Sequence, residues 1–478
     1  MKAGIYRLIS SLLITMACLP IPASLAASPP EKPTVPTLPQ WAEQSESAST
    51  GTPLRLQAEF PDQQWWNLFN DAYLPSYING AIQNNPSLNI AAERVIQARA
   101  LVRQNVALEL PSVDVNPSYY HIGLPQQGAG VGVNLPRSLN FYSLPLQASY
   151  ELDLWGRNLD QIRSSKRQME ATEFQSKTVL TGIISEVASA YVNLLRADAL
   201  IRTQQENLAL LNRIEELKRS QNQAGLTSYD EVIRAERDTT EAESQLAKYQ
   251  QQQAVFAHQL SVLTGTSPSP QAQLQRGSLE ELALPVETQV GIPSELLARR
   301  PDLLAQEKLL ESAHLDVSVA RKAFLPKINL GAFFVMGALD IHNLFDWGNL
   351  VNVQSAVVNQ PLFKGGKLKA ELKYRKSKQK EQLENYRQTI LNAFKDVEDS
   401  IALLKADSAT LEANQKRLLL TEKNLGLTQS LAQQGLVPRL NTLQSQSEVI
   451  RYRQLAMQSK ADKAIDTISL YKALGGGF

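Results

Sequence analysis

The sequence contains two copies of one unit, and this internal repeat limits what the chain can fold into more than any other feature. Pro86, in an Asn-Pro-Ser-Leu segment, and Pro301, in an Arg-Pro-Asp-Leu segment, are 215 residues apart, and the same offset separates Pro111 from Pro326. Further along the chain, glycine motifs recur at an offset of 210 residues. The pairs are Gly156 and Gly366, Gly225 and Gly435, and Gly265 and Gly475. Two constant offsets predict a first repeat over residues 62–270, a linker over 271–289 and a second repeat over 290–478.

Each repeat is predicted to contain a helix followed by a long β-hairpin. The helices are expected over Pro86–Glu109 and Pro301–Phe324, because proline is favoured in the first turn of a helix. The hairpins are expected at about 111–154 and 326–362. The clearest strand is Tyr142–Leu154, in which apolar and polar residues alternate strictly, a pattern typical of a strand with one apolar face.

Very long helices are predicted after each hairpin. No proline occurs from Leu146 to Ser267 or from Leu362 to Val437. Apolar residues recur at coiled-coil spacing, at Leu180, Ile184, Val187, Tyr191 and Leu194. A helix of about 60 residues is about 90 Å long. Gly225 and Gly435 interrupt the helical pattern, which predicts two helical hairpins.

The N-terminus has the form of an export signal. Lys2 and Arg7 precede a short apolar segment, Leu8–Ala17. Two processing routes remain open: removal of residues 1–26 after Ala26, or removal of residues 1–17 and attachment of lipid to Cys18. Residues 27–61 are rich in proline and predict an extended, poorly ordered arm.

Composition excludes several classes of function. The chain has 478 residues, with 48 basic and 47 acidic side chains, so a broad affinity for nucleic acid is not expected. Cys18 is the only cysteine, and the four histidines (His121, His258, His314 and His342) share no metal-ligand spacing. No catalytic constellation is present, so we expect neither an enzyme nor a cofactor. No run of 18 apolar residues follows the N-terminal segment, so no mature transmembrane helix is expected.

The strands instead suggest a membrane barrel shared between chains. Four strands are too few to close a barrel, which takes about eight, and open strand edges are not tolerated in lipid. Three chains would supply about 12 strands, enough for a water-filled pore. The predicted fold class is therefore α-helical plus membrane β-barrel, with two tandem repeats per chain. The alternative is a periplasmic coiled-coil scaffold without a pore, which would not need the apolar strand face of Tyr142–Leu154.

Several motifs, in this order along the chain, resemble those of TolC-type outer-membrane factors. They are Trp65-Trp66, Asn-Pro-Ser-Leu, Asp153-Leu154-Trp155-Gly156-Arg157, Arg299-Arg300-Pro301-Asp302-Leu303, Leu362-Phe363-Lys364-Gly365-Gly366-Lys367 and Leu474-Gly475-Gly476-Gly477. The first and fourth place the chain in the lipoprotein-rich, multidrug-efflux branch. The resemblance implies a homotrimer with a 12-stranded outer-membrane barrel above a periplasmic α-helical tunnel. It also implies a passive duct for drugs or other small toxic compounds, docked to a periplasmic adaptor and an inner-membrane pump. A duct for protein secretion is the minor alternative.

The same resemblance implies two sets of functional residues. In the family, the turns of the helical hairpins contact the adaptor, and the matching residues here are Gly225, Leu226, Thr227, Gly435 and Leu436. The family's periplasmic gate often uses carboxylates just beyond the second turn. The matching positions hold amides, Asn441 and Gln444, with Glu231 and Arg234 equivalent in the first copy. An aspartate ring is therefore not expected, and constriction by amide hydrogen bonds is the hypothesis.

Overall fold

The structure is a computed structural model that describes residues 41, 55–57, 64–123, 138–268, 273–285, 287–291 and 293–476. The predicted signal sequence, Cys18 and residues 124–137 of the first predicted hairpin lie outside these residues. The described chain divides into two compact units. We call residues 96–171 and 307–385 the sheet unit, and residues 41–95, 172–306 and 386–476 the helix unit.

The described elements follow the predicted order along the chain. The α-helices are α1 (Leu74–Asn84), α2 (Pro86–Val106), α3 (Arg157–Gln223), α4 (Tyr229–Leu263), α5 (Pro293–Arg299), α6 (Pro301–Lys322), α7 (Lys367–Gln433) and α8 (Arg439–Ala473). The strands are β1 (Arg55–Gln57), β2 (Ser112–Val115), β3 (Ser118–Gly123), β4 (Ser138–Leu152), β5 (Glu287–Gln289), β6 (Lys327–Ala338) and β7 (Leu350–Asn359). Helices α3 and α7 have 67 residues each, and α4 and α8 have 35 each, so the long helices of the two copies are equal in length.

The sheet unit contains an antiparallel sheet that is four strands wide. Both β2 and β3 pair with β4, which pairs with β6, which pairs with β7. The register places Tyr142 opposite Ala338 and Leu152 opposite Ile328, so the alternating apolar residues from Tyr142 to Leu152 lie on one face with Ile328 and Ala338 of β6. The predicted alternation is therefore confirmed within β4. The predicted strand is wrong at its C-terminal end, because Leu154 lies in the turn before α3 and is exposed.

The second hairpin loop, which connects β6 to β7, is built from short hydrogen-bonded turns. It contains two 3-10 turns, Ile341–Asn343 and Trp347–Asn349. In each turn an aspartate caps a backbone N–H: Asp340 accepts from His342 at 3.0 Å and Asp346 accepts from Gly348 at 2.9 Å. Such capping satisfies backbone donors that a short turn leaves unpaired.

In the helix unit, α3 contacts both α4 and α8. The predicted apolar stripe on α3 is buried there, with Val187, Tyr191 and Leu194 fully inaccessible. Gln204 on α3 donates to the carbonyl of Ala242 on α4 at 2.9 Å and accepts from Gln454 on α8 at 2.9 Å. One 18-residue window of α3 is apolar enough to cross a membrane, but 61% of it is buried inside the protein. This window therefore fits a packed helix.

Parts of the predicted arm and linker belong to the helix unit. Trp41 is 1% exposed, and its indole N–H donates to the carbonyls of Val290 and Gly291 at 3.2 and 3.1 Å. In addition, β1 in the arm pairs in parallel with β5 in the linker. Buried tryptophan and strand hydrogen bonds offset the entropy of ordering these segments, so the expectation of a poorly ordered arm is wrong for Trp41 and for β1.

Candidate functional site

Both helical hairpins turn through the same glycine cap. Gly225 and Gly435 have φ angles of 75° and 76°. The N–H of Gly225 bonds to Asn222 O at 2.9 Å, and the N–H of Leu226 bonds to Gln221 O at 2.8 Å. This pair of bonds is a Schellman motif, which ends a helix with one left-handed residue. The second turn repeats it, since Gly435 bonds to Ala432 O and Leu436 to Leu431 O.

The leucine after each glycine is exposed. In many Schellman motifs the residue at this position packs against the last helical turn. Here Leu226 is 79% exposed and Leu436 is 66% exposed. Thr227 is half-buried, and its carbonyl accepts a hydrogen bond from the Asn222 side chain at 2.9 Å. Each turn therefore presents one apolar side chain on a backbone fixed by hydrogen bonds.

The gate candidates Asn441 and Gln444 are exposed on one face of α8. They line a cleft beside α7 together with Glu448. The spacing of three and four residues places all three side chains in one row. The sequence analysis did not identify Glu448, although its spacing of four residues from Gln444 indicates that both lie on the same face of a helix.

The first-copy candidates already have ionic partners within their own hairpin. Glu231 pairs with Lys218 at 2.9 Å, and Arg234 pairs with Asp230 at 2.7 Å. The hydrogen bond from Lys218 lowers the pKa of the Glu231 carboxyl below its usual value. The structure thus separates the four candidates into two exposed amides and two paired charges.

A pair of carboxyl groups lies between α7 and α8, farther from the turns. Burial, followed by a hydrogen bond with Asp407, raises the pKa of Asp466 to about 7. Asp462, one turn away on α8, pairs with Arg196 of α3 at 2.9 Å. Sequence reasoning did not identify this pair, because Asp407 and Asp466 come from different helices.

A second polar cluster joins the two repeats within the sheet unit. Asp160 at the start of α3 is 4% exposed. It accepts hydrogen bonds from Ser318 at 2.6 Å and from Lys322 at 2.5 Å. Trp155 donates to Pro326 O at 2.7 Å. This cluster is structural, since its polar groups satisfy one another.

Within the described residues, no group of His, Cys, Asp or Glu side chains has the arrangement of a metal site. Three histidines have identified neighbours: His121 lies against Asn140, His314 against Gln379 and His342 against Asp340.

The family model of the outer membrane efflux proteins matches residues 77–266 and 292–476. These two segments lie within the two predicted repeats and cover most of the chain. The chain belongs to the outer membrane efflux protein family. The predicted resemblance to efflux channels is therefore confirmed.

Characterised relatives agree over nearly the full length. The chain is 30% identical to the pyoverdine export outer membrane protein OpmQ of Pseudomonas aeruginosa, over 98% of this chain and 96% of the relative. It is 28% identical to the toluene efflux pump outer membrane protein TtgC of Pseudomonas putida, over 94% and 91%. It is 29% identical to the cation efflux system protein CusC of Escherichia coli, over 87% and 88%.

Solved structures of efflux channels share the fold. A crystal structure of CusC matches with a TM-score of 0.77 and 26% identity, covering 95% of this chain and 100% of that one. The open-state structure of the MtrE outer membrane channel of Neisseria gonorrhoeae matches with a TM-score of 0.79 and 25% identity, covering 95% and 98%.

This efflux protein is an outer-membrane channel component that extends into the periplasm. Its family is one of efflux channels and is not an enzyme family. The choice between a duct and a scaffold without a pore is thereby decided in favour of the duct.

Proposed function

We propose that three copies of this efflux protein form one closed 12-stranded barrel above a periplasmic α-helical tunnel. The assembly is a passive duct that receives small toxic compounds from a periplasmic adaptor and an inner-membrane pump. The export of pyoverdine, toluene and cations by the named relatives supports a small-molecule cargo.

The observation that carries this proposal is the open sheet. Its apolar face requires contact with lipid. Within the part of the chain that the structure describes, β2 and β3 at one edge and β7 at the other have no neighbouring strand beyond them. Unpaired backbone groups cost several kcal/mol each in hydrocarbon. Pairing the β7 edge of one copy with the β2 and β3 edge of the next satisfies these groups, and three copies supply enough strands for a water-filled barrel.

The test is the protein mass of the particle extracted from outer membranes in mild detergent. We expect the mass of three chains. A particle with the mass of one chain would contradict the shared barrel.

The exposed turns support an adaptor contact at Leu226 and Leu436. Replacing both with aspartate places a charge in an apolar contact, which is costly when the charge has no partner. We expect loss of drug export by cells while the particle keeps the mass of three chains. Leu427→Asp is the matched control, because Leu427 on α7 is also 66% exposed but lies outside the turns. Normal export by the Leu226→Asp, Leu436→Asp variant would contradict the contact.

The exposed amides support a gate built from Asn441 and Gln444. Three copies would bring six amide side chains together, and each can both donate and accept a hydrogen bond. We expect the double variant Asn441→Ala, Gln444→Ala to raise single-channel conductance in planar bilayers. Gln388→Ala removes an exposed amide elsewhere on α7 and serves as the control. Unchanged conductance in the double variant would count against the gate.

A further inference from the structure

The two faces of the sheet have different chemistry at its inner end, the end nearest α3. The register places Asp114, Glu151 and Lys327 on one face, which we call the polar face. Glu151 pairs with Arg157 at 2.9 Å and with Lys327 at 3.6 Å. Charged groups are expensive in lipid. In the proposed barrel, the polar face therefore lines the lumen.

Toward the hairpin loops, the described rows of the polar face contain no charged side chain. Pro145 of β4 lies opposite Val335 of β6, which lies opposite Val351 of β7. These three residues form an apolar row across three strands. Two residues farther along β4, Ser143 lies opposite Gly337 and Ser118, so the next row has only small side chains.

An aromatic pair follows on the same face. Tyr120 of β3 lies opposite Phe141 of β4. The Phe141 ring lies over Gly337, where an added Cβ would be 3.0 Å from the ring. We call Tyr120, Phe141, Pro145, Val335 and Val351 the exit collar.

At the same level, the opposite face carries hydrogen-bonding side chains. Its Tyr119 hydroxyl donates to Asn140 at 3.0 Å, and the His121 ring lies 2.8 Å from the same amide oxygen. If the exit collar contacted lipid, the opposite face, with Tyr119, Asn140 and His121, would line the lumen, and the charged residues of the polar face would contact lipid too. We therefore place the apolar collar side chains in the lumen and the hydrogen-bonding side chains on the outer surface of the barrel.

We propose that the exit collar is an apolar constriction at the outer end of the lumen, which contacts the apolar parts of exported compounds and slows hydrated ions. This inference rests on the proposed trimeric duct, since three copies are needed to bring the collar residues around one axis. Apolar constrictions impede ions because water leaves them readily. The same surface gains free energy by covering apolar groups of a solute. The cargo favoured at the exit is thus apolar or amphipathic.

The test uses the double variant Val335→Thr, Val351→Thr, which keeps the branched shape and replaces one methyl group of each side chain with a hydroxyl. The whole protein is reconstituted in planar bilayers, and block of the potassium current by tetrabutylammonium is measured. Because apolar contacts are lost, we expect block to weaken about tenfold and conductance to rise. The matched control is Val113→Thr, Val358→Thr, the same changes on the apolar face of β2 and β7, for which we expect no change in block.

The outcomes separate the two proposals. If the unmodified protein forms no pores, the trimeric duct is overturned and the collar with it. If it forms pores and tetrabutylammonium blocks both double variants as strongly as the unmodified protein, only the collar is overturned. Should the valine variant fail to assemble, Phe141→Tyr adds a hydroxyl to the collar at a third position, and the same unchanged block would overturn the inference.

Discussion

At the residue scale, Asn85 and Arg300 show how the two repeats make one contact with different side chains. Asn85 is 4% exposed and donates to Leu263 O, at the end of α4, at 2.7 Å. Arg300 donates to Ala473 O, at the end of α8, at 3.0 Å. The two carbonyls are 210 residues apart, like the glycines that follow them. Each side chain therefore satisfies a carbonyl in the last turn of a helix, where no intrahelical donor is available.

We predict that Arg300→Lys destabilises the protein by about 2 kcal/mol. The guanidinium makes two bonds to Asp302, at 3.0 and 2.7 Å, besides the bond to Ala473 O, and an ammonium group cannot keep this geometry. Thermal unfolding in detergent measures the change. Arg237→Lys is the control, because Arg237 is exposed and pairs with its exposed neighbour Asp238. Equal unfolding temperatures for the two variants would contradict the prediction.

Asp466 makes stability depend on pH. Its pKa is raised from 3.8 to about 7 in the folded protein, so the folded state binds more protons than the unfolded state between these values. The unfolding free energy therefore falls as the pH rises from about 4 to about 7. We predict that Asp466→Asn raises the unfolding temperature at pH 8 and leaves it nearly unchanged at pH 4. An equal shift at both pH values would contradict the assignment of the raised pKa to this group.

At the element scale, the left-handed glycines set the length of each long helix. An added Cβ at Gly435 would meet no atom within 4 Å, so the cost of a side chain there comes from the φ angle alone. We predict that Gly435→Ala destabilises the second turn by about 1–2 kcal/mol, seen as faster hydrogen exchange at the adjoining helix ends. Gly426→Ala is the matched control. Gly426 lies inside α7 with equally open surroundings, so alanine should slow exchange there. Faster exchange in both variants would contradict this account.

At the scale of the whole molecule, the sheet edges predict how copies meet. Val113 of β2 and Val358 of β7 share the apolar face, through their partners Ala148 and Ile328. We predict that Val113→Cys with Val358→Cys or Ala356→Cys gives disulfide-linked oligomers on oxidation, detected on non-reducing gels.

Val113→Cys with Val357→Cys is the control for the edge contact. Val357 points to the opposite face, and a disulfide needs Cβ atoms about 4 Å apart. Because Cys18 is the chain's only cysteine, no other native thiol can form a disulfide with the introduced cysteines. Cross-linking that is as strong in the control as in the test pairs would contradict the proposed edge pairing.

The sequence by itself determined those features that depend on near neighbours along the chain. The repeat offsets located paired helices of equal length, the left-handed glycines located their ends, and alternation identified the apolar face of β4. Each of these signals spans a few residues, because helix caps and strand faces are local.

Only the tertiary structure decided which distant groups meet. Trp41 finds carbonyls about 250 positions away, Arg300 finds the end of α8, and Asp407 lies beside Asp466 on another helix. The exit collar also required the register, since Val335 and Val351 look like ordinary strand residues until cross-strand pairing places them with Pro145. These contacts follow from packing and strand pairing over long sequence separations, where local patterns carry no information about the partner.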